Sequence, residues 1–247
     1  MLERASEYFD IERGKFEHTE YEKVFKRTIL DKDIKKFANA SPLKVLLNNE
    51  IKTDLSYIPD NALIFDSFFE NYYESVGYEE RFDKYIRFEQ TFNTSLTISA
   101  NRMFYGAHLR EFYGKSFDSL ILCESMFEDC VRMKVCEVSF GSNVKSFRRA
   151  FFNCKSLKFI DISIKDCSRV QSFQQMFSRT PFKNLSMFSS WNVNANADFS
   201  KMFSNCHDLE DCSGIDSWDL SENETAKTMF EGCKNIKRYP KWFHSVN

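Results

Sequence analysis

The chain has 247 residues, 43% of them hydrophobic, with 34 Lys and Arg against 36 Asp and Glu and a formal net charge of −2. That is enough apolar material for a sizeable core, and too balanced a charge to favour nucleic acid or an anionic membrane surface. No stretch approaches the ~20 apolar residues that span a bilayer, and 27 Phe stand against only 7 Gly and 4 Pro, too little turn chemistry for a protein of many tight hairpins.

Residues 1–16 are charged throughout and lack the apolar stretch of a secretory signal. This points to a cytoplasmic protein or one exported by a non-classical route, with the cell surface as the alternative. Tyr21, Val24, Phe25, Ile29, Ile34 and Phe37 recur at near-helical spacing, and a second helical stretch is expected over residues 42–51. Residues 1–59 read as a helical N-terminal cap.

Beyond them a phrase begins to recur. FDSFFENY (65–72) and FEQTFNTS (88–95) fit it loosely, with Phe69 and Phe92 as anchors, and RMFYGA (102–107) is either part of an insertion or a degenerate copy. From Cys123 the phrase is sharp: CESMFEDC (123–130), FRRAFFNC (147–154), FQQMFSRT (173–180), FSKMFSNC (199–206) and AKTMFEGC (226–233). The anchors Phe127, Phe151, Phe177, Phe203 and Phe230 are 24, 26, 26 and 27 residues apart, a period that marks a solenoid. Val170, Phe173, Met176 and Phe177 share one helical face, so the phrase is expected to be a short helix. After it come Met133, Cys136 and Val138 in one copy and Leu157, Ile160 and Ile162 in the next, the spacing of a leucine-rich repeat strand. The expectation is an α/β solenoid, a leucine-rich repeat array of about seven coils over residues 60–240. Each coil is a short helix plus a parallel strand stacked on its neighbours, with a C-terminal tail at residues 241–247. Trp191 and Trp218, each twelve residues before an anchor, are expected to stack. Tyr239, Pro240, Trp242 and Phe243 would close the last coil.

The eight cysteines fall in the same slots. Cys130, Cys154, Cys206 and Cys233 lie three residues after an anchor, where the middle copy has Thr180; Cys136 and Cys212 lie six residues further on, in a slot shared with Ile160 and Tyr239. Exchange with Ile, Thr and Tyr points to reduced, buried thiols rather than disulfides.

Chemistry-bearing motifs are sparse. The glycines are scattered, there is no H-E-x-x-H or C-x-x-C, and Cys206, His207 and Cys212 have a spacing poorly suited to zinc. No catalytic, cofactor-binding or metal site is expected. KRYPKWF (237–243) reads as a solvated terminus. What remains is the surface between core positions: Lys134, Glu137, Lys158, Phe159, Asp161, Met187, Glu210 and Asp211. Phe159 and Met187 are large apolar residues at outward positions, rimmed by charge, which is the composition of a protein-binding patch.

SWDLSENETAKTMFEGCKNI (217–236), KMFSNCHDL (201–209) and AFFNCKSL (150–157) resemble the BspA-like leucine-rich repeats, in the variety found in mycoplasma surface lipoproteins. The resemblance implies a repeat solenoid and surface-exposed, host- or partner-directed binding. This sequence departs from it in showing no acylated lipoprotein cysteine near its start. The expected function is a non-enzymatic protein–protein interaction module whose partner is another protein, with no cofactor, no nucleic acid and no membrane insertion. The alternatives are a structural or self-assembly protein, and an enzyme or toxin activity in residues 1–59.

Overall fold

The computed structural model of the chain describes residues 9–10, 15–16, 87–89, 94–164 and 166–243. The chain divides into two compact units, Met1–Asn48 and Asn49–Asn247. In the first, strands β1 (Phe9–Asp10) and β2 (Lys15–Phe16) pair antiparallel. The rest of the expected helical cap, and the anchors Phe69 and Phe92, lie outside the described residues.

In the second unit the phrase does not form a helix. It is a run of tandem turns, and the backbone shows why. Residues two before and two after the anchors from Phe104 to Phe203 have left-handed φ, as in Arg149 (55°) and Asn153 (61°) around Phe151 and Gln175 (54°) and Arg179 (62°) around Phe177. A left-handed residue every fourth position cannot continue a right-handed helix. The amides therefore divide into two sets. Those of Met126, Glu128 and Cys130 bond three residues back, to Cys123, Ser125 and Phe127, while those of Ser125, Phe127 and Asp129 donate to the carbonyls of Arg148, Ala150 and Phe152 in the following copy. The same pattern joins Arg149, Phe151 and Asn153 to Gln174, Met176 and Ser178, and Gln175, Phe177 and Arg179 to Ser200, Met202 and Ser204, at 2.9–3.0 Å. Successive three-residue turns still place Cys123, Met126, Phe127 and Cys130 inside, which is why the apolar spacing imitates a helix.

The anchors face inward and stack. Ring centroids are 5.3 Å apart for Phe104–Phe127, 5.2 Å for Phe127–Phe151, 5.4 Å for Phe151–Phe177, 5.8 Å for Phe177–Phe203 and 6.0 Å for Phe203–Phe230, with the planes within 16°. Phe104 thus anchors the copy before Phe127. A second file runs through Phe147, Phe173 and Phe199, and Trp191 stacks on Trp218 at 6.4 Å, as expected.

Parallel strands form in the early copies only. Strands β3 (Arg87–Glu89), β4 (Glu111–Phe117), β5 (Val135–Phe140) and β6 (Phe159–Ile164) form one sheet in that order, each parallel to the next. Strand β3 takes up Phe88 and Glu89, which were expected to open the loose phrase copy FEQTFNTS. Cys136, Val138 and Phe140 of β5 are buried, and Val135, Glu137 and Ser139 face the other way. After β6 the strand is lost. The corresponding stretches after Thr180 and Cys206 carry the 3-10 turns Ser186–Phe188 and Ser213–Trp218; a third spans Glu224–Thr228. The expected α/β solenoid of about seven helix-plus-strand coils is thus corrected. A single four-stranded parallel sheet forms, and tandem turns stand where helices were expected.

The left-handed slot offers a test. Gly232, two residues after Phe230, has φ +77°, and an added Cβ would lie 2.4 Å from Asn205 Oδ1. Gly232→Ala should destabilise the fold by about 1–3 kcal/mol in urea titration, whereas the same change inside a helix would stabilise it.

Candidate protein-binding face

The candidate residues distribute over two kinds of backbone. Lys134 and Lys158 are exposed and precede β5 and β6; the Lys134 carbonyl accepts from the amides of Lys158 (3.1 Å) and Phe159 (3.0 Å). On the strands, Val135 is in register with Phe159 and Glu137 with Asp161. Strand alternation puts all four on the side away from the core. Phe159 is 61% exposed, the most open of the large hydrophobic residues described, and Val135 beside it is half-buried. The neighbouring row carries Tyr113, Glu137 and Asp161 across β4, β5 and β6, and the Tyr113 hydroxyl donates to Glu111 Oε2 at 3.3 Å. The result is an apolar centre with lysines at one end and two adjacent carboxylates at the other.

The remaining three candidates are not on this sheet. Met187 is 40% exposed, within the 3-10 turn Ser186–Phe188. Glu210 pairs with Lys237, whose ammonium holds its carboxyl below the ordinary value. Asp211 caps its own turn, accepting from the Ser213 amide at 2.8 Å, and that bond lowers its carboxyl likewise. Both carboxylates are thus partnered within the chain. Two residues placed in an interior slot by sequence are not interior: Ile160 is half-exposed, and Tyr239 is 41% exposed, stacked on Phe243 at 5.1 Å.

The cysteines are free, and all but Cys233 are buried. Cys167, which fits neither slot, is buried too, in a backbone bridge with Val193. The slot three after the anchor does more than fill space. Cys130, Cys154, Cys206 and Cys233 donate Sγ–H to the carbonyl of the preceding copy's anchor, Phe104, Phe127, Phe177 and Phe203, at 3.0–3.2 Å. Burial pushes the thiols of Cys123, Cys136, Cys154 and Cys206 well up and that of Cys167 to about 12. Cys233 moves down, chiefly through a hydrogen bond with the Cys206 thiol. Among the described residues no group of three or more His, Cys, Asp or Glu is placed to hold a metal ion, and no helix is long and apolar enough to cross a membrane.

A charged cluster on the phrase side is built for support. Glu128, 5% exposed, takes a two-pronged bond from Arg149, with Nε to Oε2 at 2.9 Å. The same guanidinium donates to Gln175 Oε1 at 2.9 Å and lies 3.8 Å over the Phe152 ring. Three successive copies are tied by one side chain.

Residues 121–243 match a mycoplasma family. Its description is Mycoplasma protein of unknown function, DUF285. The matched segment begins at the sharp copies of the phrase and includes β5, β6 and every later turn. The mycoplasma part of the resemblance is what this match carries; it carries no leucine-rich-repeat identity. No curated protein and no solved structure matches the chain.

Two measurements probe the matched segment. Iodoacetamide at pH 8 should label Cys233 first, and the other seven thiols only after unfolding, read by mass spectrometry of peptides. Arg149→Ala leaves Glu128 buried without its cation and should cost about 3–5 kcal/mol in urea titration.

Proposed function

We propose that the described part of the second unit is a non-enzymatic protein-binding module, and that its contact face is the side of β5 and β6 carrying Phe159. The observation that supports this most is the exposure of Phe159, 61%, in a segment whose other aromatic rings are mostly buried. An exposed aromatic ring beside an apolar neighbour, with charges at both ends, has the make-up of a binding hot spot and its rim. Lys134 and Lys158 would meet acidic groups of the partner, and the pair Glu137 and Asp161 would meet a basic one. That pair repels itself while unoccupied, so a cation from a partner would relieve a cost the free protein carries. Met187 would extend the apolar contact, and the partnered Glu210 and Asp211 would contribute little. The chemistry of the matched family does not enter this reading, because its description names no activity.

Phe159→Asp supplies the test. Because the ring lies outside the core, the melting temperature should stay within about 1–2 °C of the parent, while a protein retained by the parent chain in affinity capture should be lost. A fall of several degrees would place the ring in the core and sink the proposed face. Retention of the same partner by a well-folded Phe159→Asp chain would move the contact elsewhere.

A further inference from the structure

The outer strand column of the second unit is interrupted at one place. Carbonyl acceptors pass it from copy to copy: Arg110 receives the amides of Lys134 and Val135, Lys134 those of Lys158 and Phe159, Lys183 those of Glu210 and Asp211, and Glu210 those of Lys237 and Arg238. Between Lys158 and Lys183 the chain of acceptors is missing. Bridges likewise join Asn184 to Asp211 and Asp211 to Arg238, but among the described residues none joins β6 to the following copy. The residues that correspond to β6 in the next copy carry the 3-10 turn Ser186–Phe188 instead of a strand. The continuous phrase ladder beside this gap, from Phe151 to Met176 and from Asn153 to Ser178, is unaffected. Thus β6 is a sheet edge opened by a local loss of strand.

The polarity of that edge follows from the register. The Phe159 amide bonds to Lys134 on the β5 side, so by alternation Asp161 and Ser163 also turn their backbone groups to β5, and Ile160, Ile162 and Ile164 turn theirs outward. These three isoleucines are only half-buried, while Phe159, Asp161 and Ser163 are exposed. Edges of soluble proteins are usually blunted by lysine, proline or a bulge. The six residues of β6, FIDISI, contain neither lysine nor proline and a single charge.

We propose that this edge pairs with β6 of a second copy of the chain, antiparallel about a two-fold axis at Ile162. In that register Ile162 faces its own counterpart and Ile160 faces Ile164, so the outward backbone groups close about six hydrogen bonds and the half-buried isoleucines cover one another. Asp161 lies opposite Ser163. Sliding the strands one way would set Asp161 against Asp161, like charge on like charge, and sliding them the other way would leave Ile160 without a partner in the facing β6, so the Ile162 register is selected. In this register the single carboxylate of each strand falls opposite a serine and the three isoleucines fall opposite one another, so β6 complements itself, as a two-fold contact requires. The two four-stranded sheets would join as one of eight, with both Phe159 rings on the same side. The pairing does not rest on the proposed binding face: Phe159→Asp should leave it intact, so loss of partner capture and loss of self-association are separate outcomes.

Sedimentation of the intact chain across a concentration series tests the pairing. The parent should pass from 29.2 kDa to twice that mass. Ile162→Pro removes an amide that no described residue of the same chain uses and should weaken association at least about tenfold. Should that variant not fold, Ile162→Lys, which sets two ammonium groups against each other across the axis, should do the same. Mild oxidation of Ile162→Cys should yield a cross-linked dimer that the parent does not form. A parent that remains monomeric to several hundred micromolar overturns the proposal, as does a dimer indifferent to both substitutions. A monomer whose β6 amides are protected by an added extended peptide also overturns it, and hands the edge to a foreign strand.

Discussion

Each described copy that precedes another depends on the division of its amides between two destinations. Half turn back within the copy and half reach forward to the next, and the left-handed residues at Arg149, Asn153, Gln175 and Arg179 direct them. The forward bonds bring the anchor rings within 5.2–6.0 Å of each other, and the rings exclude water from those same bonds, so neither is stable without the other. The cysteine slot adds a third tie, because its thiol reaches the carbonyl of the preceding anchor. A conformation that is unfavourable residue by residue is held because packing and hydrogen bonding both require it.

Much of this packing was legible in the amino-acid order. The anchor phenylalanines, the Trp191–Trp218 pair and the reduced cysteines could be placed because each recurs at a fixed offset from its neighbour. The helix could not be told from the tandem turns by apolar spacing, since positions such as Cys123, Met126, Phe127 and Cys130 are inward in both. A discriminating signal was present two residues after the anchor, where, with Arg179 the exception, Gly106, Asp129, Asn153, Asn205 and Gly232 stand. These are the residue types that tolerate left-handed φ, and they are poor choices for a helix interior.

The candidate face was legible in part for a different reason. Phe159 and Asp161 could be placed outside by alternation along one strand, and β6 preserves that alternation. Met187, Glu210 and Asp211 were assigned by the same rule in copies where no strand forms, so the rule had nothing to act on. The incomplete burial of the β6 isoleucines was not legible at all. It arises because the following copy forms the 3-10 turn Ser186–Phe188 where a strand would cover them, and no property of FIDISI by itself announces it.

The forward direction of the inter-copy bonds gives the stack a chemical polarity. One side of each copy offers N–H groups and the other C=O groups, as in a line of identical electrical plugs. Two stacks could be joined end to end only head to tail, because a like-ended junction would set donor against donor. Cutting the stack between copies should likewise leave two fragments with chemically different faces, one needing acceptors and the other donors. Growth by adding copies is therefore directional, whereas lateral contact through the flank of the sheet is free of that constraint.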